Sequence, residues 1–459
     1  MCQDNAAQVR KIVLHHMFEP KRVFFRPLNY KRVVVGPGVE TCSVTLCHPL
    51  SPFYAINIDI FSLLYPYLLR NFAKKIVMAL RILLAFDKFK GSLTSTEVAE
   101  AFALGLRDVV PDAKVDAVAV SDGGDGVLST LIEAVGGEMR RTVVHDPLNR
   151  PVEALWGTIE GGSVAVIEMA EAAGLRLLED AERNPLKTST RGVGELMLSA
   201  LDAGCRRMIL GLGGSATNDG GMGLLQALGV EFFDAEGRAL EASGEAMCRV
   251  ESVDTRGIDS RLCGVEIIIA SDVDNPLYGQ RGAARVYAPQ KGATDDVVEL
   301  LDVGLRSYHE AVKRAVGADY AHVAGAGAAG GVGYGLMAVL GAKMRSGVEL
   351  VMEMTQFEHR ASSCDIIITG EGRLDRQTLM GKAPSGVLGV GKRLGVEVIA
   401  VGGGVEDAEA LTKGGFARVY ATKPVDMPLE EAMKRDTAQQ NLRRAAHRVA
   451  SDILTLRSK

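Results

Sequence analysis

The chain has 459 residues, 47% of them hydrophobic and 24% charged, with a net charge of −5. That length supports two or three domains around a large core, and the acidic balance argues against a nucleic-acid surface. Seven cysteines lie scattered without a CxxC pair, which fits the reduced thiols of a cytoplasmic protein better than a disulfide framework or a zinc site.

Residues 1–78 differ from the rest. They hold only two glycines, Gly36 and Gly38, and ten Lys/Arg against four Asp/Glu, leaving 42 basic and 53 acidic residues after them. The apolar run 53–69 is broken by Asn57, Asp59 and Pro66, and its unbroken stretches are too short to span a bilayer. A signal peptide would need an apolar core near the start, which is absent, and a low-acid transit segment is the weaker alternative. Met78 reads as the natural start, with residues 1–78 as an unstructured or non-native extension.

In chain order, the apolar run 81–86 reads as a buried strand. It ends at Asp87-Lys-Phe-Lys-Gly-Ser92, and Ser92 or Thr94 starts a helix through 109. Polar groups there stand where open α/β sheets bind ligands, and Lys88 and Lys90 around Phe89 point to phosphate binding by at least one of them. A second strand, 115–120, runs into Ser121-Asp-Gly-Gly-Asp-Gly126. Its Asp122 and Asp125 suit Mg²⁺ or substrate hydroxyls, with a plain turn as an even alternative. A helix to 135 follows.

Strand 164–167 leads into Glu168, and a helix covers 195–203. Strand 208–210 then meets Gly213-Gly-Ser-Ala-Thr-Asn-Asp-Gly-Gly221, before a helix from 222. Glycines let backbone N–H groups approach a ligand and form an anion-binding concavity, to which a helix N-terminus adds positive charge. Gly213, Gly214, Ser215, Thr217, Asn218 and Gly220 are the candidate contacts. Asp219, a carboxylate beside a phosphate cradle, suits metal binding or proton acceptance. A capped turn is the plainer reading, but no turn needs so many glycines and polar groups together.

Strand 265–270 ends in a cluster of Asp272, Asp274 and Asn275, and Lys291 adds a basic residue beside Gly292. Past 358 the chain alternates strands at 364–369, 396–401 and 417–421 with glycine turns and helices. Gly370-Glu-Gly-Arg373 follows the first of these, Gly381-Lys-Ala-Pro384 opens a helix, and an amphipathic helix runs from 429 to the end. The strands at 81, 115, 365, 396 and 417 look alike. They predict one parallel-sheet α/β domain, discontinuous over 79–140 and 358–459, with a second α/β domain, 141–357, inserted. A cleft between two domains is a usual place for a small-molecule site.

Three glycine motifs compete for a nucleotide. Gly386-Val-Leu-Gly-Val-Gly-Lys392 lacks the Walker Ser/Thr, having Arg393 instead, and its spacing suits a helix. Gly325-Ala-Gly-Ala-Ala-Gly330 follows a poor strand. Gly211-Leu-Gly-Gly-Ser-Ala216 fits GxGxxA with Glu231 near the ribose-acid spacing, so an NAD(P)-dependent oxidoreductase is the alternative function. The polar insert 217–219 argues against it. A non-catalytic nucleotide-binding protein is the third class.

Asp87-Lys-Phe-Lys-Gly-Ser-Leu93, Asp122-Gly-Gly-Asp-Gly126, the 213–221 stretch, Asp272-Val-Asp-Asn-Pro276, Pro289-Gln-Lys-Gly-Ala293, Gly325-Ala-Gly-Ala-Ala-Gly-Gly331 and Thr369-Gly-Glu-Gly-Arg373 with Gly381-Lys-Ala-Pro384 together resemble the motif set of the type-1 glycerate kinases. They come in that family's order over about 79–459. Lys88 stands where Ser is frequent in the family, and Asp125 where Glu is. The resemblance implies two α/β domains, one of them Rossmann- or flavodoxin-like. It also implies phosphorylation of D-glycerate by ATP with Mg²⁺, giving 2-phosphoglycerate. Phosphoryl transfer needs positioning and charge neutralisation. Lys90 and Lys291 are then expected to neutralise phosphate oxygens, with Asp272 and Asp274 holding Mg²⁺. Asp219, with Asp122 second, is expected to orient or deprotonate the glycerate hydroxyl. Arg373 or Lys382 would clamp the glycerate carboxylate, with Asp87, Lys88 and Glu371 completing the substrate site. The expected partners are glycerate and ATP, without nucleic acid or membrane; a homo-oligomer is left open.

Overall fold

The computed structural model describes residues 33–34, 40–41, 80–121 and 126–457. Asp122 and Asp125 lie outside the described residues, as does most of the 1–78 stretch expected to be unstructured. The chain divides into two compact units, Met1–Met78 and Ala79–Lys459. In the first, Val33–Val34 pairs antiparallel with Glu40–Thr41.

The second unit opens with β1 (Arg81–Phe86), buried from Ile82 onward. A continuous apolar run is what a parallel strand covered on both faces requires. Helix α1 (Ser95–Val109) follows, started by a capping box in which Glu97 N donates to Thr94 Oγ1 at 3.2 Å and Thr94 N donates to Glu97 Oε2 at 2.9 Å. Strand β2 (Lys114–Ala119) completes this first passage.

The chain then builds a second sheet. Helix α2 (Val127–Val135) leads to β3 (Gly137–His145), β4 (Pro151–Ile159) and β5 (Val164–Glu168). Helix α3 (Arg191–Asp202), β6 (Arg207–Gly211), α4 (Met222–Ala227) and β7 (Glu266–Ala270) follow. Helices α5 (Asp295–Val316) and α6 (Ala328–Leu340), strand β8 (Lys343–Arg345) and helix α7 (Gly347–Met354) close the passage. The strand order is β8-β7-β6-β5-β4-β3, parallel from β8 to β5 and antiparallel beyond.

The chain returns as β9 (Ile366–Leu374), α8 (Ala383–Leu394), β10 (Glu397–Val405), β11 (Arg418–Ala421) and α9 (Arg435–Arg457). The first sheet has the order β11-β10-β9-β1-β2, all parallel. Numbered by chain order within the sheet, this is 2-1-3-4-5, the flavodoxin-like arrangement. Phe102 of α1 and Leu442 and Val449 of α9 bury one face of it, and Val387 and Leu388 of α8 the other.

Residues 127–140, expected with the first sheet, pack with the second: Val127, Leu128 and Leu131 of α2 cluster with Ile159, Val164 and Ile209. Helix α7 belongs to both sheets. Its Leu350 and Val351 join that same cluster, while Val348 and Met352 pack with Val387 and Leu388 of α8.

Strands β9 and β10 run past the ends expected at 369 and 401, pairing through Arg373↔Gly404 and Leu374↔Val405. The glycines read as strand terminators instead permit the strands to continue at close approach: a Cβ on Gly403 would lie 2.4 Å from Gly372 O. The helix expected from 429 is broken at Lys434, whose backbone is extended, into Leu429–Met433 and α9.

Candidate active site

In a flavodoxin-like sheet the connections leave in opposite directions on either side of the first strand, opening a crevice at the carboxyl ends of that strand and its neighbour. Here these are β1 and β9, and a cleft of about 950 Å³ lies there. Asp87, Lys88 and Lys90 enter it from the end of β1, and Glu371 and Arg373 from the overshoot of β9. Asp87 N donates to Gly370 O at 2.9 Å, tying the two strand ends together. Lys382, at the N-cap of α8, completes a group of cations around the cleft.

The second sheet also reaches this cleft. Gly213 and Gly214, just past the end of β6, line it beside Lys90. The rest of the 213–221 loop lies beneath them. Ser215 is 7% exposed, and Thr217, Asn218 and Asp219 are fully buried. The loop is pinned from below. Lys291 Nζ donates to Ser215 Oγ at 2.9 Å and to Thr217 O at 2.6 Å. Leu175 N donates to Gly214 O at 2.9 Å, and Gly220 N donates to Gly330 O at 3.1 Å.

Asp219 accepts four hydrogen bonds, from Thr190 N and Thr190 Oγ1 at 2.8 Å, Gly221 N at 3.0 Å and Gly223 N at 3.1 Å. Burial pushes its carboxyl above the ordinary range, against the pull of those bonds. Burial pushes the Lys291 ammonium down to about 7, with Asp219 opposing the shift. Asp219 and Lys291, expected to touch substrate hydroxyl and phosphate, are fully buried and absent from the cleft lining, and their hydrogen bonds go to the loop itself.

Glu371 is a partly buried carboxylate of the cleft wall. Its side chain is 13% exposed, Thr378 Oγ1 donates to it at 2.8 Å, and Lys382 Nζ stands 3.5 Å away. Burial raises its carboxyl, against Thr378 and Lys382. Arg373 is paired with Glu406 at 2.7 Å. Lys88 reaches toward α2: its Nζ lies 2.9 Å from where a Cβ on Gly126 would stand, and its charge acts on Glu168. Glu168, at the end of β5, is a buried carboxylate that accepts from Leu128 N at 2.8 Å. The sequence reading gave it no role, although its place at a strand end matches that of Asp87.

Asp272 and Asp274 follow β7, are exposed, and are not among the residues lining the cleft. Arg281 holds Asp274 at 2.9 Å. Among the described residues no group of three or more His, Cys, Asp or Glu is placed to hold a metal ion. The sequence reading also missed Thr422 and Asn441, which line the cleft from the far end of the first sheet and from α9.

Cations and bare glycine backbone gathered at the carboxyl ends of parallel strands from two sheets suit the phosphate groups of an α/β phosphotransferase. A profile described as "Glycerate kinase family" matches residues 82–454. The chain is 42% identical to a glycerate kinase of Bacillus subtilis (strain 168) and 41% identical to a glycerate 2-kinase of Escherichia coli (strain K12), in each case over 82% of this chain and 98% of the relative. It superposes with a TM-score of 0.75 on a crystal structure assigned to glycerate kinase 2 of Salmonella typhimurium LT2, at 40% identity, covering 83% of this chain and all of that one. The chain belongs to the glycerate kinase family.

Proposed function

We propose that this enzyme transfers the γ-phosphoryl group of ATP to a hydroxyl of D-glycerate, giving 2-phosphoglycerate. The observation that carries this reading is the cleft itself. Lys90 and Lys382 flank it from the first sheet, and the Gly213–Gly214 backbone meets them from the second. The triphosphate lies against that backbone with Lys90 neutralising transferred oxygens. Mg²⁺ enters with the nucleotide as part of the substrate.

Glycerate takes the sector of Glu371, Arg373 and Lys382. A cation there pairs with its carboxylate, and Glu371 holds the hydroxyl and receives its proton. Lys291 and Asp219 act beneath the loop, fixing the glycine backbone rather than touching substrate. The product follows from the resemblance and from the relative named a 2-kinase. Cys205, Cys248, Cys263 and Cys364 are free thiols, which supports a cytoplasmic setting, and no helix among the described residues is long and apolar enough to cross a membrane.

The test is a coupled assay with D-glycerate, ATP and Mg²⁺, followed by phosphorus NMR of the product. ADP should form only when all three are present, with phosphate on C2. A signal that needs a nicotinamide cofactor, or ATP binding without turnover, would overturn the reading.

A further inference from the structure

The charged half of the cleft accounts for phosphates and a hydroxy acid, but the cleft has a second, apolar half. Leu429, Ala432 and Met433 line it there, on the short helix Leu429–Met433. Leu429 is 66% exposed and Met433 37% exposed, although both face a cleft rather than a flat surface. The helix is tethered in place. Ser92 Oγ donates to Met433 O at 2.8 Å, and Lys423 Nζ donates to Met427 O at 2.9 Å just before it. Three-carbon glycerate has no apolar surface to offer such a wall.

Asn441 of α9 lines the same cleft. It is 2% exposed, its Nδ2 donates to Met427 Sδ at 3.3 Å, and its Oδ1 has no hydrogen-bond partner. A buried amide oxygen left unpaired costs free energy, which a donor from a bound ligand or a water offsets.

From this juxtaposition we infer that the apolar half of the cleft is the base subsite of the nucleotide: the purine lies on Leu429 and Met433, and Asn441 Oδ1 accepts from the adenine 6-amino group. The inference rests on the reading of ATP as phosphoryl donor and adds its selectivity. Adenine presents a donor at position 6, whereas hypoxanthine and guanine present an acceptor, which would face Oδ1 oxygen to oxygen. A site built to pair a polar group rejects the analogue that leaves it unpaired.

Calorimetric binding of ATP, ITP and inorganic tripolyphosphate to the full chain tests this without requiring turnover, while ADP release with D-glycerate tests the phosphotransfer reading separately. The wild type should bind ATP about 10-fold or more tighter than ITP, and Asn441→Leu should bring the two together while leaving tripolyphosphate affinity unchanged. Leu429→Ser, at an exposed position that leaves the fold intact, should weaken ATP about 3-fold or more with tripolyphosphate again unchanged. Equal ATP and ITP binding by the wild type overturns the inference. So does an Asn441→Leu variant that keeps the preference, or a Leu429→Ser variant that loses ATP and tripolyphosphate in step.

Discussion

Lys291 brings an amine into a place with almost no water, 1% exposed beneath the loop it holds. Its folded value, about 7, lies well below the 10.5 of an ordinary lysine. Between those two pH values the unfolded chain binds the proton and the folded one does not, so this group makes stability rise with pH across that window. Lys291→Met should flatten the rise, read as the urea midpoint against pH from 7 to 10. Asp219→Asn places an amide N–H among four donors. It should therefore weaken ATP binding and lower the melting temperature as well as slow turnover, where a purely chemical role would spare the first two. Glu371 titrates above the ordinary carboxylate range. Activity that needs it ionised should rise with pH through that raised value, and Glu371→Gln should remove this limb of the kcat/KM profile and lower kcat about 10²-fold or more. The chemistry-bearing residue types were legible as motifs, but their depth was not. Nothing local separates Lys90, which lines the cleft, from Lys291, which lies under it. Asn441 gave no signal, being one polar residue within a polar helical stretch.

Helices and strands were legible where local pattern and tertiary need agree. The run 81–86 and the helix end at Val109 match the observed elements. The pattern misled where glycine served packing instead of turning. Gly386, part of the Walker-like string, lies inside α8 facing α7, where a Cβ would stand 2.3 Å from Val348 Cγ1. Gly386→Ala should destabilise the fold by about 1–3 kcal/mol through overpacking, measured as a lowered denaturation midpoint with nucleotide affinity intact. Gly370 makes the same point in a strand: a Cβ there would meet Val401 O at 1.8 Å. A sequence shows that glycine is present; only the neighbouring strand shows why.

At the scale of the molecule, the repeated strand-glycine-helix units announced a parallel sheet, whereas the order of its strands depends on pairings such as Ile366↔Ile82 across nearly three hundred residues. The family match begins at residue 82 and the second compact unit at Ala79. A chain starting at Ala79 should keep its circular-dichroism spectrum and its kinase activity, compared with full length in the same assay. Helix α7 sets how that unit comes apart. Its apolar side chains are divided between the cores of the two sheets, Val348 and Met352 on one side, Leu350 and Val351 on the other. Neither core can melt without stripping this rod of half its cover, so calorimetry should record a single endotherm for the pair, and the two walls that grip the substrates live or die together.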